Sequence, residues 1–147
     1  MVRQRGAWYL QAMPNEGGHE RAQVFLDPRG IFRIIHPPGA RVELDDVLWI
    51  RARHQQVAGS RKIPVLVDTR HMRAMSLSAR RAAAGPEIAR ITSRCVLLVG
   101  GPVSALIGNF FMKVARPAYP TRLFTDVEAA EAWLLEPMQT TATSAQA

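Results

Sequence analysis

Residues 95–111, CVLLVGGPVSALIGNFF, decide the fold. The first five are continuously apolar, with none of the alternation of a half-exposed strand, and so predict a strand buried on both faces. Gly100-Gly101-Pro102 then turns the chain. Beyond it Val103, Leu106, Ile107, Phe110, Phe111 and Val114 fall at i, i+3, i+4, i+7, i+8 and i+11. That spacing predicts a helix whose apolar stripe faces the core. The run 63–68, IPVLVD, repeats the buried-strand pattern. It too is followed by helical composition, over 77–92, interrupted where Gly85-Pro86 would break a continuous helix. Two buried strands separated by helical segments require crossover connections, and hence a largely parallel sheet.

Working outward, AQVFLDPRGIFRII (22–35) reads as a hairpin. Two β-rich runs, 22–26 and 31–35, flank Asp27-Pro28-Arg29-Gly30, with Pro28 presetting φ and Gly30 free to take a positive one. Pro37-Pro38-Gly39 ends the second strand. Leu44, Val47, Ile50, His54 and Val57 predict a helix over 43–58, stopped by Gly59-Ser60, with Asp45 and Asp46 complementing its N-terminal dipole. After the loop RPAYP come a short strand, TRLFT, and a last helix for which Thr125 and Glu128 form a capping box. The whole is one α/β domain over residues 22–135, with a four- to five-stranded mixed, largely parallel sheet covered by helices. Residues 1–21 form an N-terminal arm, and 136–147, polar and low in complexity, a disordered tail.

The composition excludes several function classes. Of 147 residues, 48% are hydrophobic and 21% charged, as in ordinary soluble domains. No run reaches the roughly 20 apolar residues of a membrane span, and Gly6 to Met13, short and interrupted by Gln11, makes a poor signal-peptide core, so export is not expected. The expected compartment is the cytoplasm. The net charge is +7, but the arginines are scattered and no aromatic residues interleave with them as a base-stacking surface requires, which argues against nucleic acid. The four histidines lack metal-ligand spacing, and the single Cys95 lies inside a buried strand, so neither metal nor cofactor is expected. His54 sits on the apolar stripe of its helix, the place of a packed residue. No Gly-x-Ser-x-Gly elbow or paired catalytic carboxylates are found, so no catalytic residue is assigned.

The order of elements, with VLVD, LLVGGPVSALIGNFF and TRLFTDVEAAEAWL, resembles the STAS-like (SpoIIAA-like) family of small bacterial proteins. These are relatives in fold of the anti-sigma-factor antagonists and are loosely grouped with CRAL-TRIO lipid-binding domains. The resemblance covers about residues 22 to 135. It implies a mixed sheet covered by helices and a non-enzymatic, regulatory role: binding a protein partner or a second copy of itself. A carrier for a small apolar or anionic, lipid-like ligand, held between the sheet and helix 103–114, is the alternative.

Antagonists of this type carry an Asp-Ser-Ser-Gly-like sequence after the central strand, one serine of which is phosphorylated. Counting from Asp68 puts Ser76 at the position of the aspartate and Ser78 at that of the phosphorylated serine, while Ala79 replaces the glycine. With two of the defining residues absent, Ser76 or Ser78 reads as a helix cap, with phosphorylation as its alternative. Asp68 is expected to bond to backbone or to pair with Arg70 or Arg73. Asp68 with Gly100, Gly101 and Ser104 makes a candidate anion or partner site, although the turn lacks the lysine of a Walker loop and the third glycine of a dinucleotide fingerprint. Met112, Lys113, Arg116 and Tyr119 form a candidate apolar and basic surface patch. Val65, Val67, Val96, Leu98, Leu106, Phe110 and Trp133 are expected to share one core.

Overall fold

The computed structural model describes residues 22–137. The expected arm and nearly all of the expected tail lie outside the described residues. Within them the elements are β1 (Gln23–Leu26), β2 (Phe32–Ile35), β3 (Ala40–Val42), α1 (Leu44–Ala58), β4 (Ile63–Asp68), β5 (Met72–Met75), α2 (Leu77–Ala84), α3 (Pro86–Ala89), β6 (Thr92–Leu98), α4 (Pro102–Phe110), β7 (Thr121–Phe124) and α5 (Val127–Leu135). A π-helical turn, Phe111–Ala115, continues α4.

Five strands form a sheet in the order β1-β2-β4-β6-β7. Only β1 and β2 pair antiparallel; β2, β4, β6 and β7 run parallel. The two continuous apolar runs are therefore adjacent, interior and parallel, for the reason they are continuous: both faces of each are covered. Along β6, Cys95 and Leu97 join the core beneath α1 and α2, whereas Val96 and Leu98 join Ile31, Leu66, Ala130 and Leu134 beneath α5. Gly30 closes the hairpin at φ 88°, its N–H donating to the Asp27 carbonyl at 3.0 Å. The Asp27 carboxylate accepts from the Arg33 guanidinium at 2.9 Å, and Arg33 and Arg29 both reach Glu131, tying the hairpin to α5.

Several expectations are corrected. The seven residues expected in one core are divided by the sheet: Val65 and Val67 lie on one side, and Val96, Leu98 and Trp133 on the other. Leu106 belongs to neither, being 72% exposed. A parallel pair, β3 with β5, was not legible: segments of three and four residues carrying Arg41 and Arg73 are too short to establish a period. The cap of α5 is Asp126, which accepts the Ala129 N–H at 2.9 Å, rather than Thr125. The break at Gly85-Pro86 is present, with Pro86 opening α3.

Candidate functional site

The parallel strands end together, and their C-terminal ends bring Asp68, Gly100, Gly101 and Ser104 close. Asp68 closes β4 and accepts from the Arg70 backbone at 3.1 Å and its guanidinium at 3.0 and 2.8 Å. Burial alone would raise the Asp68 pKa; the hydrogen bonds and charge of Arg70 outweigh it and hold the carboxyl below its ordinary value. The stem of Arg70 lies over Gly100, where a Cβ would approach its Cγ to 3.3 Å. Gly101, at φ 88°, leads into α4 with Pro102 in its first turn. The buried Ser104 hydroxyl accepts from the Gly100 N–H at 2.8 Å and donates to the Gly100 carbonyl at 2.9 Å. Asp68 and Ser104 thus both have partners within the fold.

The two serines separate clearly. Ser76 is the N-cap of α2, its Oγ accepting the Ala79 N–H at 3.2 Å. Ser78 lies in the first turn, exposed, with its Oγ 3.3 Å from that of Ser76. Ser76→Ala is therefore expected to destabilise by about 0.5–2 kcal/mol and Ser76→Asp to restore most of the loss. Ser78→Ala should stay within about 0.5 kcal/mol of the parent. Urea denaturation of the three variants checks this; a Ser78→Ala loss equal to that of Ser76→Ala would contradict the capping assignment.

The surface patch is rearranged. Lys113 and Arg116 are exposed and Met112 half-buried, but Tyr119 is buried, its hydroxyl donating to the Ala83 carbonyl at 2.7 Å. The loop RPAYP folds back under α2, and an aromatic ring with a satisfied hydroxyl is favoured there over solvent. In place of Tyr119 the outer side of α4 carries Val103 (49% exposed), Leu106 and Val114 (59% exposed). Phe110 lies on the same side, half-buried, with the Arg80 guanidinium 4.2 Å from its ring centre. Arg80 is itself held by a 2.9 Å bond from Nε to the Met75 carbonyl.

The inner side of α4 consists of Ser104, Ile107, Gly108 and Phe111. A Cβ on Gly108 would come within 3.0 Å of Leu123 and 3.2 Å of Val99, so glycine lets the helix lie close against β6 and β7. Ser104 and Gly108 let the buried side approach the sheet, Ile107 and Phe111 fill the space beside them, and Val103, Leu106 and Val114 are left outside. Along the chain on either side of this stripe the charge is one-sided, although Arg94 and Arg122 lie elsewhere, over Trp133. Between Asp68 and Asp126 the only acid is Glu87, against nine arginines and lysines that include Arg73, Arg80, Arg81, Lys113 and Arg116. The exposed stripe and Arg80 escaped the sequence reading; the signal available was a helix apolar on all sides, which cannot bury every side.

Among the described residues, no three His, Cys, Asp or Glu side chains group as metal ligands would. No described helix is long and apolar enough to cross a membrane.

In three dimensions the chain is similar to an uncharacterised protein of the DUF3478 family with a SpoIIAA-like fold from Shewanella loihica PV-4. The TM-score is 0.54 at 16% identity, over 82% of this chain and 99% of that one. It is also similar to the anti-sigma factor antagonist SpoIIAA in its unphosphorylated form (TM-score 0.52, 17% identity, 76% of this chain and 96% of that one). The phosphorylated Bacillus cell fate determinant SpoIIAA matches comparably, with a TM-score of 0.52, 18% identity and coverage of 76% and 98%. At these identities the likeness is one of fold, and it establishes the SpoIIAA-like, STAS-like architecture that the order of elements implied. No curated protein matches the chain in sequence. Residues 24–137, nearly all of the folded domain, match the family model described as a domain of unknown function, DUF7793, and the chain belongs to that family.

Proposed function

We propose that this domain is a non-enzymatic interaction module of STAS-like, regulatory type, and that it docks a protein partner on the outer side of α4. The observation that carries the reading is the exposed apolar stripe Val103, Leu106 and Val114, with half-buried Phe110, beside Arg80, Lys113 and Arg116 in a segment with a single acid. Exposed apolar side chains in a line, rimmed by charge of one sign, suit a partner segment that is apolar along one side and acidic at its margins. A second copy of this chain fits less well, since two such faces would bring like charges together. The fold supports the reading by analogy, because one structural neighbour is an anti-sigma factor antagonist.

The test is Leu106→Asp, which places a like charge against an acidic partner in the middle of the stripe while touching no core residue. Partners retained by the immobilised parent domain from its own organism's lysate should be lost with Leu106→Asp. They should remain with Leu44→Asp, a control on an exposed leucine of another helix. Capture should weaken as salt rises from about 0.05 to 0.5 M, as exposed charges become screened. Identical partner sets for the parent and Leu106→Asp would overturn the assignment of the face.

A further inference from the structure

A cavity of about 80 Å³ lies between the sheet and helices α1 and α2. Its walls are mostly hydrocarbon, from Ile34, Val47, Ile50, Val65 and Ala83 among others, and no lining residue comes from α4. The space therefore differs from the one between sheet and helix 103–114 at which the sequence pointed. Four longer polar side chains reach it: His36, His54, Thr92 and Tyr119. Three of them are satisfied by the protein. His54 Nε2 is 2.9 Å from the Ile91 carbonyl, Thr92 Oγ1 donates to Ile88 at 2.7 Å, and the Tyr119 hydroxyl donates to Ala83.

His36 is different. It is 6% exposed; no hydrogen bond among the described residues engages its ring, and its nitrogens are not sealed off from water or from the cavity. Asp46 and Asp68 are close enough to act on it through their charge, but burial prevails and pushes its pKa down to about 4, so the ring is neutral at pH 7. A neutral imidazole offers one donor and one acceptor, which no described residue takes up and which a molecule in the cavity could use.

We propose that this cavity is a binding site for a small, uncharged, planar apolar molecule carrying one hydroxyl or amide group, which hydrogen-bonds to His36. No lining residue carries a formal charge, so an ionised ligand would find no counter-charge. The volume is several times the roughly 10–15 Å³ that admits one water and about half of the roughly 150 Å³ of an apolar cavity that takes benzene, so one six-membered ring is the upper limit of what it holds. A single polar group among apolar walls is the arrangement that orients a ligand of that class.

The experiment uses phenol and benzene as probes on the isotopically labelled protein, following backbone amide resonances. Phenol should shift Ile34, Val65 and Cys95 and bind about ten-fold more tightly than benzene. His36→Leu, near in volume, should keep the fold and bring the two affinities within about two-fold. His36→Gln, which retains a donor and an acceptor, should keep the preference for phenol. Leu106→Asp should leave phenol binding unchanged, so this site stands or falls separately from the docking face. Failure of both probes to shift the cavity residues at millimolar concentration would show a space for water only and overturn the site. Phenol binding equally to parent and His36→Leu would overturn the role of His36.

Discussion

Lowering the pH from 7 towards 4 is expected to destabilise this protein steeply, through His36 and His54. Burial pushes the pKa of each from an ordinary 6.5 to about 4, against the charges of Asp46 and Asp68 at His36 and against the Ile91 carbonyl at His54. The unfolded chain therefore takes up both protons near pH 6.5, while the native state resists them until about pH 4. Stability is fully present above pH 6.5. As pH falls, it is lost at about 1.4 kcal/mol per unit for each histidine, up to about 3 kcal/mol apiece at the lower limit. Against the about 5–15 kcal/mol of a typical domain, that is enough to unfold a marginal one. Asp68 and Glu131, whose pKa values are lowered, withdraw their contributions in a separate window at lower pH. Urea denaturation at half-unit steps between pH 7.5 and 4.5 measures the slope, and His36→Leu should roughly halve it. A flat profile between pH 7 and 5 would mean that neither imidazole is as dry as its surroundings indicate.

The second large effect separates two neighbours in the chain. Ile107→Ala is expected to cost about 2–5 kcal/mol, while Leu106→Ala should cost no more than about 0.5 kcal/mol. Ile107 is 8% exposed and packs with Val42, Val47, Met72 and Ala79, so truncation leaves a void that the β3–β5 pair and α2 cannot collapse to fill. Leu106 projects outward, and its removal exposes little that was buried. Thermal or urea unfolding of the two alanine variants gives the comparison directly. Equal losses would mean that Leu106 is packed within the domain rather than facing out, and would remove the stripe from consideration as a docking face.

Much of the architecture was legible in the sequence because it rests on strong local signals. Continuous apolar runs at 63–68 and 95–99, each bounded by turn residues and followed by helical composition, leave a parallel sheet as the economical solution. Pro28 and Gly30 marked the hairpin by their backbone preferences alone. His54 was placed in the core by its position on a periodic stripe, and there it stacks on Phe32 with ring centres 4.9 Å apart. The pairing of Asp68 with Arg70 followed from simple proximity in the chain.

Tertiary packing decided the rest. Whether Ser76 or Ser78 caps α2 depends on the residue at which the chain leaves β5, a matter of pairing with β3 rather than of residue type. Tyr119 turned inward because the loop after α4 folds beneath α2, a contact between segments far apart in sequence. The ring of His36 has no hydrogen-bond partner among the described residues because of how the segments around it pack, which no stretch of sequence signals alone. Above all, a helix with apolar residues on every side has no polar face to reveal its orientation. In α4 that orientation is set by what the sheet admits: Gly108 and Ser104 let the backbone approach Leu123 and Val99 closely, which turns Leu106 and Val114, on the opposite side, outward.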